Sequence, residues 1–462
     1  MSEWVDIPFA RMAYQARSPI VASEKCENLY LEQNPQGANG QVTLYGTPGL
    51  KLFGSFGDGP IRGMHAMGPD LFVVSGQVLY VVGVDGASSE VGTIPGTGAV
   101  QMVNDGFNVA IVTGGIPYYS DGVSVAQYNI GDFTSVAYQD GYAIFVLKGS
   151  EDFYIAGPLP ADFTTISGLD FSNADTFADR LVGAVSDHRE LWLFGETTIE
   201  IWQNTGNAAF PFERAGAGFI ERGCVAAGSI AKADNAVFWL GDDLRVYTAQ
   251  GYTPQVISPP GIVEIIESIK SPQAAQAHIY SQGGHTFYML TFAEKTLGFD
   301  VTTGLWHTRK SEGMSRWRVA NHEWVWQKNL AGDYSSGNIY ELDLDTYDEN
   351  GSVLRREAVS PILQIGGNRA ICDAVEFEME AGVGLTTGQG SDPQIMVDWS
   401  DDGGRHWSHE RTADIGKIGK YADRAKVHRC GAFYKRLVRL VISDPVKTVI
   451  VRARARIEAL AV

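Results

Sequence analysis

The sequence predicts an all-β protein: a β-propeller of six or seven blades over residues 41–350, with an N-terminal arm at 1–40 and a sandwich-like β domain at 351–462. Three observations carry this. The 462 residues include 53 glycines and 11 % aromatic residues, which pairs tight turns with the aromatic and β-branched side chains that suit pleated surfaces. Segments with helical periodicity are scarce. Paired apolar runs recur with starts roughly 35 to 50 residues apart, the interval of a four-stranded blade.

Taken in order, residues 1–40 show little alternation and contain Ser18-Pro19 and Asn34-Pro35-Gln36-Gly37. They are expected to form an arm with short strands, able to dock on the C-terminal domain or on a neighbour, with Arg11 and Arg17 as candidate contacts. From Gln41 the pattern changes to hairpins. Strand runs at 71–74 and 78–82, 108–112, 142–147 and 153–155, 190–194 and 197–202, 236–240 and 244–248, 285–291 and 296–300, and 339–343 alternate with turn residues. Asp85-Gly86, Asp105-Gly106, Asp121-Gly122 and Asp140-Gly141 supply the positive-φ positions of tight turns. Segment 41–56 precedes the first full blade and is a candidate to close the ring. Ile262, Ile265, Ile266 and Ile269 fall at helical spacing between Pro260 and Pro272, which predicts one short helix over 260–270. The acidic, turn-rich 345–351 followed by Arg355-Arg356 marks the domain boundary. Beyond it, strands are expected at 374–379, 395–399, 435–442 and 448–457, with a glycine-rich loop at 382–390.

In this second domain Ile395, Val397 and Trp399 alternate as on a half-buried strand, Asp401-Asp402-Gly403-Gly404 provides a turn, and Trp407 begins a return strand. Ser400, Asp402, Gly404 and Trp407 fit Ser-x-Asp-x-Gly-x-x-Trp, in which the carboxylate bonds turn amides and the Trp packs beneath the turn. An Asp used in this way is unavailable for catalysis. The spacing is the Asp-box pattern of sialidases and other propellers. Trp399 to Trp407, Gly416 to Tyr421 and Leu440-Val441-Ile442-Ser443-Asp444-Pro445 together resemble the C-terminal region of the packaged-DNA stabilisation proteins, or tail nozzle proteins, of short-tailed bacteriophages. Cys26-Glu27-Asn28-Leu29-Tyr30-Leu31-Glu32 and Leu44-Tyr45-Gly46-Thr47-Pro48-Gly49-Leu50 are similar to that family's opening. The resemblance implies a structural virion protein of the phage tail, assembled in the host cytoplasm. By it, copies form a hexameric ring below the portal and its adaptor protein, extend the DNA channel, retain packaged DNA and take part in genome ejection. It also implies a tail needle or plug and a tailspike or fibre as neighbours.

Charge is unevenly placed. The formal net charge is -18, yet Ser400 onward carries fourteen Lys or Arg against seven Asp or Glu, leaving about 25 net negative charges on the preceding chain. A duplex-gripping protein is basic because phosphate neutralisation drives its affinity; an acidic wall suits DNA that must slide past without adhering. Surplus carboxylates serving solubility alone are the other reading. Arg452, Arg454 and Arg456 alternate with Val451, Ala453, Ala455 and Ile457, which puts three guanidiniums on one strand face, either solvated or meeting carboxylates of an adjacent copy.

Catalytic motifs are missing: the sequence holds no phosphate loop, no His-Glu-x-x-His and no Gly-x-Ser-x-Gly elbow. His406 and His409 would point to opposite faces of a strand, a poor metal pair. Cys26, Cys224, Cys372 and Cys430 lie far apart, as buried reduced thiols do. Neither a secretory signal nor a long apolar run is visible. The expectation is therefore a protein without catalytic residues, cofactor, metal or membrane span; the alternative is a sialidase-like or carbohydrate-binding propeller.

Overall fold

A computed structural model describes residues 3–9, 13–15, 23–34, 42–128, 130–158, 163–174, 179–233 and 235–460; Arg11 and Arg17 lie outside the described residues. Seven four-stranded antiparallel blades surround one axis. Blade 1 is built from Ile61–Met67, Asp70–Ser75, Val78–Val82 and Ser88–Thr93, and blades 2 to 5 repeat this meander over 101–127, 133–173, 181–220 and 231–256. Blade 6 comprises Gln276–Gln282, His285–Thr291, Thr296–Asp300 and Leu305–Arg309. Blade 7 takes three strands from 319–343 and its fourth from Gly49–Ser55, which pairs antiparallel with Asn338–Asp343. The first strand of each blade adjoins the first strand of the next, and blade 7 returns to blade 1. The ring is closed, and the early segment 49–55 is its clasp.

The second strand of each blade is buried on both faces between neighbouring blades, which is why it reads as a continuous apolar run instead of an alternation. Ala236–Leu240 and His285–Thr291 are buried at every position. The single α-helix among the described residues, Pro260–Glu267, ends three residues earlier than its spacing suggests, at Ser268. Its Ile262 and Ile266 insert between blades 5 and 6 against Phe238, Leu290 and Trp306.

The second domain is a sandwich of two sheets. One orders Ala425–Phe433, Ala370–Met379, Val449–Ala459, Val42–Gly46 and Leu29–Gln33, with Glu3–Ile7 also paired to Val449–Ala459. The other runs Ser23–Glu27, Arg356–Val359, Leu437–Ile442, Gln394–Ser400 and Arg411–Asp414, and Ser23–Glu27 also joins the outer strand of blade 6 at Glu27 and Thr308. Ten strands therefore form one sheet that reaches from the propeller axis into the sandwich. Between the sheets lie Ile7, Cys26, Leu31, Leu44, Phe377, Val397, Leu440 and Ala455. The stretch that reads as an arm in sequence is woven into both sheets. All four cysteines are buried free thiols.

Candidate functional site

The propeller axis is the first place to look. An innermost strand is a sheet edge, and its backbone groups need partners. Here neighbouring side chains supply them: Asn321 donates to Ile61 O (2.9 Å), Asn104 to Ala66 O (3.1 Å), Gln139 to Arg189 O (2.7 Å) and Lys232 to Ser186 O (2.7 Å). The axial cavity measures about 520 Å³ and includes Arg62, His65, Arg316, Asn321, Glu323 and Tyr334 on its wall. Burial pushes the Glu323 carboxyl up to about 7 and the His65 imidazole down to about 4. A sialidase-type site needs arginines free to converge on a carboxylate. Arg62 instead donates to Gly98 O (2.7 Å), Gly76 O (2.9 Å) and Ile94 O (2.9 Å), while Arg316 lies 4.2 Å over the Tyr334 ring and bonds Trp317 O (3.2 Å). Both are occupied as structural clamps.

The Ser400 to Trp407 turn has the geometry of a self-capped loop. Ser400 Oγ donates to Asp402 Oδ1 (2.8 Å) and accepts from Gly404 N (2.8 Å); Asp402 Oδ1 accepts from Arg405 N (3.0 Å) and His406 N (2.9 Å). The His406 amide and ring, with Ser400 Oγ, hold the Asp402 carboxyl well below the usual carboxylate range. The Trp407 ring stacks on the Arg439 guanidinium at 4.2 Å. The return strand does not begin at Trp407. It begins at Arg411, opposite Val397, because the capped loop and the bond from Ser408 N to Trp399 O (2.8 Å) delay pairing by four residues. The His406 ring pairs with Asp402 Oδ2 (2.6 Å), and among the described residues no group of three or more metal-type ligands is assembled.

Arg452, Arg454 and Arg456 do share one face, and that face is covered from within the chain. Arg452 donates bidentately to Asp6 (2.7 and 2.9 Å), Arg454 to Glu376 (2.6 Å), and Arg456 pairs with Asp373. Trp4, paired in register with Arg456, lies 4.8 Å from the Arg454 guanidinium and 4.8 Å from Lys426. The strand carrying Trp4 and Asp6 occupies the position assigned in sequence to a neighbour. The alternation Trp4-x-Asp6, complementary to Arg-x-Arg, was the signal for it.

Sequence reasoning missed the junction of the two domains. Asn28, 1 % exposed and held at φ 55°, donates to Lys310 O (2.8 Å) and Arg355 O (2.7 Å) and accepts from Lys310 N (3.0 Å), so one side chain ties arm, blade 6 and sandwich together. Beneath it Arg309 lies 3.9 Å over the Trp317 ring, Trp317 donates to Glu349 (3.1 Å), and Arg356 is buried with its pKa lowered to about 10 by desolvation. Such a layer rigidifies a junction and offers no reactive group.

No curated protein sequence matches the chain. Among solved structures, the chain is similar to the computationally designed Ika8 protein (11 % identity, TM-score 0.41, 70 % of this chain and 100 % of that one). It is also similar to a streptogramin B lyase (11 %, 0.40, 68 % and 97 %) and to the Pan2 WD40 domain of Neurospora crassa (7 %, 0.42, 64 % and 96 %), likenesses too distant to bear on function. Two family models do match: residues 7–347 fit the β-propeller of bacteriophage P22 Gp10 and residues 355–458 fit its β-sandwich. With both domains matched in order, the chain belongs to the bacteriophage P22 Gp10 family, the packaged-DNA stabilisation and tail nozzle proteins.

Proposed function

We propose that this structural phage protein forms the nozzle ring of the tail, six copies below the portal and its adaptor, extending the DNA channel and holding the packaged genome until ejection. The observation that carries the reading is the family match through both domains. The architecture supports it: a closed propeller joined to a sandwich by one continuous sheet is a stiff building unit. In this reading the protein is not an enzyme, and the needle or plug and the tailspikes or fibres are its neighbours in the virion, assembled in the host cytoplasm. The occupied arginines of the axial cavity favour it over a sialidase-like propeller. The test is genetic and structural. Particles assembled without this protein should package DNA and then lose it, and gold-labelled copies should lie at the tail vertex. Particles that keep their genome without it would remove the retention role, and cleavage of sialosides by the purified protein would replace the reading.

A further inference from the structure

We propose that one end of blades 1 to 3 is an interaction surface that receives the basic tip of the sandwich of a second copy of this chain. The inference deepens the ring reading and rests on it. Alternating strands put the turns at 83–87, 105–108, 121–124 and 140–141 at the same end of their blades, and inner strands of successive blades run the same way, since Asn104 meets Ala66 and Gln139 meets Ser186 near their common ends. At that end Val84, Phe107 and Val123 are 61, 73 and 83 % exposed, each beside an Asp-Gly turn. Solitary exposed apolar residues are ordinary, whereas several together with a polar rim mark an interaction surface. The rim of blades 1 and 2 is acidic, since no Lys or Arg occurs between Gly63 and Leu147; at its edge on blade 3, Asp140 pairs with Arg189 of blade 4 (3.4 Å). Its carboxylates are also rigid, because Asp85, Asp105 and Asp121 accept from Ala87 N (3.0 Å), Phe107 N (2.7 Å) and Val123 N (2.9 Å).

The complementary surface lies at the far tip of the sandwich. Arg356 pairs with Ile442 near the propeller, while Ala370 pairs with Phe433 and Ser400 with Leu437 at the other end of the sheets. There, Arg369, Arg405 and Lys435 carry no ion pair with any described residue, and Tyr434 is 61 % exposed. Asp401 beside them is held by Arg436 (2.7 and 2.8 Å). An aromatic centre with unpaired cations fits an apolar centre with an acidic rim. The two surfaces are also at opposite poles, since the sandwich joins blade 6 and blades 2 and 3 lie across the seven-blade ring from it. Contact between different surfaces of identical chains runs head to tail, and it closes into a ring when the rotation permits.

Cross-linking decides it, because the native thiols are buried and introduced cysteines would react alone. A chain carrying both Val123→Cys and Tyr434→Cys, treated with a short bis-maleimide, should give a ladder of covalent multimers, whereas either single variant should give none and a mixture of the two singles should stop at dimers. Self-cross-linking of a single variant would overturn the head-to-tail contact. Multimeric wild-type protein in sedimentation with no ladder from the double variant would overturn these surfaces and leave the ring reading standing. Wild-type protein that stays monomeric and yields no ladder would overturn both. Charge provides the second measurement: Arg369→Glu with Lys435→Glu should weaken self-association about tenfold or more, and Val123→Lys in the same chain should restore part of it.

Discussion

Asp402 shows how little a motif residue need do beyond holding a backbone. Its oxygens are engaged by Ser400 Oγ, two amides and the His406 ring, so Asp402→Ala should lower the thermal midpoint of the sandwich and leave the propeller transition in place. Differential scanning calorimetry separates the two. Asn28 is the more consequential side chain. Asn28→Gly keeps the φ of 55° accessible but loses three hydrogen bonds, and Asn28→Ala adds backbone strain; costs of about 1 to 3 and about 2 to 4 kcal/mol are expected in denaturant titrations. Histidines set the pH dependence. Burial lowers His65 and His322 to about 4 and His307 to about 3, from an ordinary 6.5, and holds His278 well below that ordinary value. Their folded values are depressed, so unfolded chains bind more protons below 6.5 and stability is lost as pH falls from 6.5 toward 4, by about 1.4 kcal/mol per group per unit within each window. Glu323, raised to about 7, opposes them by losing stability as pH rises from its ordinary 4.5 toward 7. His285, raised by its bond to Asp300, and Glu349, raised by burial, act in the same sense as Glu323; the four lowered histidines outnumber these three, and the denaturation midpoint at pH 4.5 should lie below that at pH 7, whereas equal midpoints would show these histidines to be hydrated.

At the scale of the element, the strand Val449–Ala459 illustrates what a sequence reveals and what it withholds. Its alternation exposes the strand and the common face of Arg452, Arg454 and Arg456, both present in the structure. Their partners were harder to read, because Asp6 lies 446 residues away and the alternation Trp4-x-Asp6 was the one hint of that pairing. Reversing all three to Glu would set like charges against Asp6, Asp373 and the 5 % exposed Glu376. The isolated chain should lose at least about 2 kcal/mol, allowing for partial exposure of the arginines; unchanged thermal unfolding with failed assembly would return these residues to a subunit interface. Blade hairpins were legible for the opposite reason. Strands such as Leu191 to Phe194 and Val109–Val112 are buried on both faces, so their apolar runs announce themselves. Blade number was not legible, because the outer strands of blade 2 are only three residues long and blade 7 borrows its fourth strand from 49–55.

For the whole molecule, the charge division legible in composition takes a spatial form. Much of the C-terminal positive charge is consumed within the sandwich by Asp6, Glu376, Asp398 and Asp401, and blades 1 to 3 remain acidic. Purified protein should therefore bind duplex DNA no more tightly than about micromolar at physiological salt; nanomolar binding in an electrophoretic shift would contradict an unadhesive channel. The clasp and the woven arm also impose an order in time. Glu3–Ile7 pairs with Val449–Ala459 and Ser23–Glu27 with Arg356–Val359, and a ribosome adding about 5 to 20 residues per second needs roughly 20 to 90 seconds to deliver those partners. Meanwhile the propeller has everything it requires by residue 343, once Gly49–Ser55 finds its partner. The nascent chain thus carries a finished ring with a waiting strand, and a chaperone or ribosome that shields that strand would govern how much of the synthesised protein becomes competent to assemble.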